Sequence, residues 1–182
     1  MELDATLSLT LRAAFALLFA SAVLHKLRAP REFAVILAGY LRGTVLGGAR
    51  LGKALVPAVI GLELLAVLLC LWPTAGAAAA GLVASLLLVY AAAIARILGA
   101  GLALPDCGCG WGGARQPPHV FLVLRNLLLA ALAVALVLPV QFRPLGLLDV
   151  VSVSVATLTL MLLYMASASL LAVASDQGSA VR

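Results

Sequence analysis

The stretch ALVPAVIGLELLAVLLCLW (54–72) decides the fold. It carries a single charge, Glu63, in an otherwise apolar run. A helix rising 1.5 Å per residue needs about 20 such residues to cross the hydrocarbon of a bilayer. Four more runs of this kind lie at 6–24, 77–98, 119–138 and 145–173. Of the 182 residues, 65% are hydrophobic and only 10% charged, with a mean hydropathy of +1.20. Soluble domains run near ~45–50% apolar and ~25% charged. So few polar groups cannot cover an apolar core, and lipid must serve as the solvent.

The segments between the runs complete the expected layout. HKLRAPR (25–31) stops the first span. EFAVILAGY (32–40) is apolar but too short to cross, and suits a helix lying at the interface or re-entering it. PTAG (73–76) is an uncharged tight turn, and 99–118 is a polar loop rich in glycine and proline. Arg12, about two turns into the first span, can snorkel to the interface. Ala77 and Gly81, four apart, favour close helix packing. No A-x-A cleavage pattern follows the first run, which therefore reads as a retained helix. The expected fold is all-α: a polytopic bundle of about five transmembrane helices, with a short interfacial helix after the first. It forms one transmembrane domain over 1–182, without internal repeats.

Alternation then sorts the chemistry. The end of span one, the end of span three and the start of span four share one face. His25, Lys26, Arg96, Cys107, Cys109 and His119 therefore lie together. Cys70 falls at the opposite face, ~30 Å away, and is a poor disulfide partner for either of the other cysteines. Cys107 and Cys109 are the only local pair. Gly108 between them tolerates the backbone angles of a small disulfide ring. Strained or exposed disulfides are the more readily reduced ones. Lys26, Arg96 and Arg115 on this face would favour a reactive thiolate. Two further readings stay open: unrelated cysteines in a glycine-rich turn, or a metal site of Cys107, Cys109 and His119 with Asp106. A metal site wants a fourth strong ligand at recognised spacing. None is evident, and no metal is assigned. Trp111 either covers the cysteines or anchors at the head groups.

Glu63 is costly at mid-membrane and calls for a partner. Arg125 is the first choice, with Arg96 and Lys26 as alternatives. The pair either pins helices together or makes a proton or cofactor contact beside the cysteines. Asn126 reads as interhelical glue, His25 as an interfacial residue, and Trp72 and Tyr164 as interface anchors.

HKL (25–27), REF (31–33), GY (39–40), LELL (62–65), DCGCGW (106–111) and the RN pair (125–126), in this order, resemble the MauE family of methylamine-utilisation membrane proteins, within the wider DoxX-like set. The resemblance runs from about His25 to Ala135. It implies a four- or five-helix bundle in the plasma (inner) membrane, associated with thiol redox chemistry. It also implies disulfide formation in the small subunit of methylamine dehydrogenase, alongside a thioredoxin-like partner. Carried over by residue, Cys107 and Cys109 would be the redox pair, surrounded by Lys26, Glu63 and Arg125. A membrane quinone could take the electrons, although no motif marks a quinone site.

Charge counting opposes the redox reading on orientation. Ten of the 12 Lys and Arg lie on the cysteine face, and only Arg12 and Arg143 on the other. The positive-inside rule would turn the cysteines to the cytoplasm, whereas disulfides persist outside. The redox chemistry favours the outer face. The net charge of +5 flanks apolar runs and answers lipid head groups rather than nucleic acid. Two other functions compete. One is a non-enzymatic assembly or chaperone partner with structural cysteines. The other is a small-solute transporter using Glu63 and Arg125, which the lack of broken-helix repeats disfavours. No nucleophile-elbow, Walker or metalloprotease pattern is present.

Overall fold

The computed structural model describes residues 2–42, 49–102, 118–141 and 143–180. Among these, six α-helices follow one another: α1 (Ala5–Arg28), α2 (Pro30–Tyr40), α3 (Ala49–Leu71), α4 (Gly76–Gly99), α5 (Val120–Val134) and α6 (Leu147–Ala180). A 3-10 turn, Ala135–Val137, extends α5. All but α2 are long and apolar enough to cross a membrane. The polytopic all-α bundle expected from hydropathy is therefore the observed architecture. The loop carrying Cys107, Cys109, Trp111 and Arg115 lies outside the described residues.

Local chemistry explains the breaks. Pro30 disfavours helical angles at the residue before it, and Ala29 sits at φ −134°, ψ 59°. One helix ends there, and Pro30 opens the next at a position that needs no N–H. The short helix begins two residues before the apolar run. α3 starts at Ala49, five residues earlier than the apolar stretch, because its first turns carry polar side chains that hydropathy discounts. α6 runs on to Ala180 for the same reason: a helix continues beyond the hydrocarbon wherever its backbone bonds are made. Asp4 caps α1, its carboxylate accepting from the Thr6 amide at 2.8 Å and from the Thr6 hydroxyl.

Packing follows small residues. α4 lies along α5, α3 lies on α1 and α4, and α2 rides on α3. Ala66, Ala79, Val83 and Ala133 are fully buried where these helices meet, with Phe15 and Phe19 of α1 filling the space between them. In lipid the tails are as apolar as the core, so association rests on close van der Waals contact. Alanines permit it. The expected Ala77/Gly81 contact is not the one formed: both face outward, and a Cβ on Gly81 would meet nothing within 4 Å. The packing positions are Ala79 and Ala80, on the next face round. α6 packs against α1 and leaves most of its leucines and valines outward.

Arg12 does not snorkel outward. It is buried, and its Nη1 donates to the Trp72 carbonyl at 2.8 Å. The same carbonyl accepts from the Ala75 amide at 3.2 Å, so Arg12 holds the turn between α3 and α4. The guanidinium fits because Gly76 has no side chain. A Cβ there would stand 2.7 Å from Arg12 Nη2 and 2.8 Å from the Leu136 carbonyl. At this Trp72 end, Leu3 donates to Pro139 (2.8 Å) and accepts from Gln141 (3.0 Å), tying the N-terminus to the segment after α5. Arg143 joins Asp4 at 3.5 Å and Asp149 at 2.7 Å.

Two outcomes are expected. Gly76→Ala should destabilise the protein by about 1–3 kcal/mol, the usual cost of overpacking, while Gly81→Ala should not. Thermal unfolding in detergent distinguishes them. The Thr6 hydroxyl and amide, then Arg143, hold the Asp4 carboxyl below its ordinary 3.8. A depressed pKa supplies stability above the unfolded value and loses it as pH falls through the folded one. The protection of the Leu3 and Gln141 amides against hydrogen exchange, relative to the intrinsic rate at each pH, should therefore fall as pH drops below about 4. Asp4→Asn should reproduce the effect at neutral pH.

Candidate functional site

Polar groups gather inside the bundle between the C-terminal parts of α1 and α4, the middle of α3 and the N-terminal part of α5. Glu63 of α3 is 0% exposed and Lys26 of α1 only 3%. Lys26 Nζ donates to Glu63 Oε1 at 2.7 Å, and the Tyr90 hydroxyl of α4 donates to the same oxygen at 2.6 Å. Three spanning helices thus converge on one carboxylate oxygen. The second oxygen, Oε2, is buried and has no hydrogen-bond partner among the described residues. Phe33 of α2 closes the ammonium from the side, its ring centroid 4.9 Å from Nζ. The Tyr90 ring lies at 5.9 Å.

The partner of Glu63 is therefore Lys26, an alternative in the sequence reading, and not Arg125. Lys26 lies in the last turn of α1 with a long flexible stem, and α1 packs directly on α3. α5 packs on α4 instead. Arg125, 8% exposed, lays its guanidinium over the Tyr164 ring of α6 at 4.6 Å. This contact also draws Tyr164 away from the role of interface anchor. Arg125 Nε and Nη1 and Asn126 Nδ2 are buried without hydrogen-bond partners. The reading of Asn126 as interhelical glue finds no support on that amide nitrogen. Arg96 serves the backbone: its Nη1 donates to the Tyr40 carbonyl at 3.4 Å and the Arg42 carbonyl at 3.3 Å, holding the end of α2.

The remaining candidates contribute less. His25 is half-buried, and its carbonyl accepts the Ala29 amide at 3.3 Å. His119 caps α5, its Nδ1 accepting the Phe121 amide at 3.2 Å. Cys70 is a free, buried thiol in the core near the Trp72 end. No cluster of metal-ligating side chains occurs among the described residues. Trp72 is 65% exposed at the turn between α3 and α4. Cys107, Cys109 and Trp111 are joined to this half of the bundle through α4 and α5, whose ends flank their loop.

Two contributors were missed in the sequence, Tyr90 and Phe33. A signal for Tyr90 existed. A phenol inside an apolar helix needs a partner for its hydroxyl, and Tyr90 lies in the half of α4 that ends on the face of Lys26. Phe33 carried no such signal, since only the fold of α2 back onto α3 brings it to Lys26.

The arrangement has a chemical consequence. A carboxylate in hydrocarbon is tolerated because one cation and one phenol share it. Its free oxygen remains a buried acceptor for a proton or a ligand N–H or O–H. Glu63→Gln should destabilise the protein by about 3–5 kcal/mol, because it strands a buried ammonium. Lys26→Met with Glu63→Leu should be near neutral. A double-mutant cycle of thermal unfolding tests this.

The chain matches the family model "Methylamine utilisation protein MauE" over residues 4–139, from the cap of α1 to the end of the segment after α5. It is 40% identical over 169 residues to the methylamine utilization protein MauE of Paracoccus denitrificans, covering 88% of this chain and 84% of that protein. No solved structure matches it. Five membrane-crossing helices, a buried three-helix polar cluster and these matches together make the chain a multi-pass membrane protein of the MauE family.

Proposed function

We propose that this protein is the membrane component of a thiol–disulfide relay serving methylamine utilisation, with Cys107 and Cys109 as its exchanging pair. The observation that carries the reading is the buried Lys26–Glu63–Tyr90 cluster. Reoxidising a dithiol releases two protons, and Glu63 Oε2 is a buried acceptor without a hydrogen-bond partner among the described residues that could take one of them. The loop holding the cysteines is tethered to the same half of the bundle.

A dithiol of a thioredoxin-like partner attacks the Cys107–Cys109 disulfide, forming a mixed disulfide and releasing one thiolate. The partner's second thiol resolves it, leaving the partner oxidised and Cys107 and Cys109 reduced. The partner then oxidises its client, for which the family points to the small subunit of methylamine dehydrogenase. Reoxidation moves two electrons and two protons to an acceptor, for which a membrane quinone is the fitting class. The unpartnered Nε and Nη1 of Arg125 are donors suited to a quinone carbonyl.

The pair works best at the outer face, where disulfides persist. Three of the ten cations that argued for the cytoplasm are engaged inside the protein: Lys26 with Glu63, Arg125 over Tyr164, and Arg96 on the α2 carbonyls. The positive-inside rule concerns free loop charge and does not count these.

A thioredoxin-like partner whose resolving cysteine is replaced by serine should be trapped as a mixed disulfide with this chain, visible on a non-reducing gel and lost on reduction. Cys107→Ser together with Cys109→Ser should abolish client disulfide formation in cells, and an unchanged client would overturn the proposal. In a Cys70→Ser background, a membrane-impermeant maleimide should label intact cells only after external reductant. Lys26→Met/Glu63→Leu should fold but turn over at least about tenfold more slowly, the low end of the 10²–10⁴-fold that a positioned acid–base group supplies being discounted for water access.

A further inference from the structure

We propose that the groove between α2 and α3 is a binding site for one anionic phospholipid, with Arg31, Arg42 and Lys53 holding its phosphate. The three side chains line a single cavity of about 600 Å³, within the ~300–1,000 Å³ of ordinary ligand sites. All three are exposed, and none forms an ion pair among the described residues. The rest of the wall is apolar, with Val35, Ala38 and Val56 among it. A cationic rim over a hydrocarbon floor matches an amphiphile: an anionic head with an acyl chain below.

The position selects lipid over a soluble anion. α2 is the helix too short to cross, and the spanning part of α3 begins at Leu51, beside Lys53. The cations therefore stand at head-group depth, and Val56, one turn further along α3, leads into the hydrocarbon. A soluble acidic peptide would leave that apolar wall unused.

The groove is also built rather than incidental. α2 is pressed on α3 at Gly52, where a Cβ would stand 3.0 Å from both the Ala34 carbonyl and the Ala38 Cβ. Arg96 of α4 grips the Tyr40 and Arg42 carbonyls. These two contacts fix the end of α2 and hence where Arg42 stands relative to Lys53. Basic pockets between membrane helices are a recurring way of holding anionic head groups.

The test uses the full chain, purified in detergent and stripped of lipid, with native mass spectrometry counting bound lipid. Phosphatidylglycerol should bind more tightly than phosphatidylcholine of the same chain length. Each charge removed should weaken it about fivefold, and Arg31→Gln/Arg42→Gln/Lys53→Gln together about a hundredfold. The triple charge-keeping variant Arg31→Lys/Arg42→Lys/Lys53→Arg should retain binding, as should Arg143→Gln at the opposite end. Equal affinity for the two lipids, or phosphatidylglycerol binding untouched by the triple glutamine variant, overturns the proposal. So does glycerol phosphate binding as tightly as the lipid, which would reassign the site to a soluble phosphate. Displacement of the lipid by polyglutamate at equal concentration would reassign it to an acidic protein segment.

Discussion

Hydrocarbon offers a carboxylate nothing to bind, so the position of Glu63 dictates much of what surrounds it. Its one charge must be matched within the bundle or neutralised. Lys26 meets it from α1 and Tyr90 from α4, and this obliges three spanning helices to keep a common register. Phe33 then covers the ammonium from α2. The alanine contacts of α3, α4 and α5 supply close packing but little choice of register, because sliding one alanine past another changes small areas. A 2.7 Å ion pair tolerates no such slip, so the polar cluster selects the arrangement that the apolar faces merely allow.

The two ends of the bundle use charge differently. At the Trp72 end, Arg12 acts on backbone: it ties off a carbonyl in the turn between α3 and α4 and occupies the space Gly76 leaves. At the Lys26 end, Arg96 does the same for α2, while Lys26 and Arg125 meet a carboxylate and a phenol ring. Arginine suits both tasks because its planar head offers several donors and stacks on aromatic faces. This division alters what the charge asymmetry means. A lysine paired with a buried glutamate contributes little net field to a loop. Among the outward charge that remains, Arg31, Arg42 and Lys53 line one groove.

A bundle with one buried acid–base cluster and donors left open in its interior fits a protein that moves protons or hydrogen-bonded ligands better than a mere scaffold. Unsatisfied buried atoms are uncommon in folded proteins, and each one asks for a reason. Glu63 Oε2 and Arg125 Nε and Nη1 would have such a reason in the thiol–disulfide relay proposed above. Asn126 Nδ2 and Thr157 Oγ1 are buried in the same way, and the relay does not explain them.

Hydropathy alone determined the helical class, the five crossings and the short helix after the first. These follow from the energy of moving each residue into hydrocarbon, which is local and additive. Proline and glycine marked the breaks for the same reason. The ordered motifs around HKL, LELL, DCGCGW and RN sufficed to identify the family. Glu63 announced itself as a residue in need of a partner, and alternation placed Lys26, Arg96 and Arg125 within the right half of the bundle. The identity of the partner was not legible. Which helix lies beside which depends on side-chain packing between segments far apart in the chain, and α1 rather than α5 lies against α3. The same holds for Tyr90, for Phe33, for the burial of Arg12 and for the outward turn of Ala77 and Gly81. Each depends on the rotation of one helix against another, which only the tertiary structure decides.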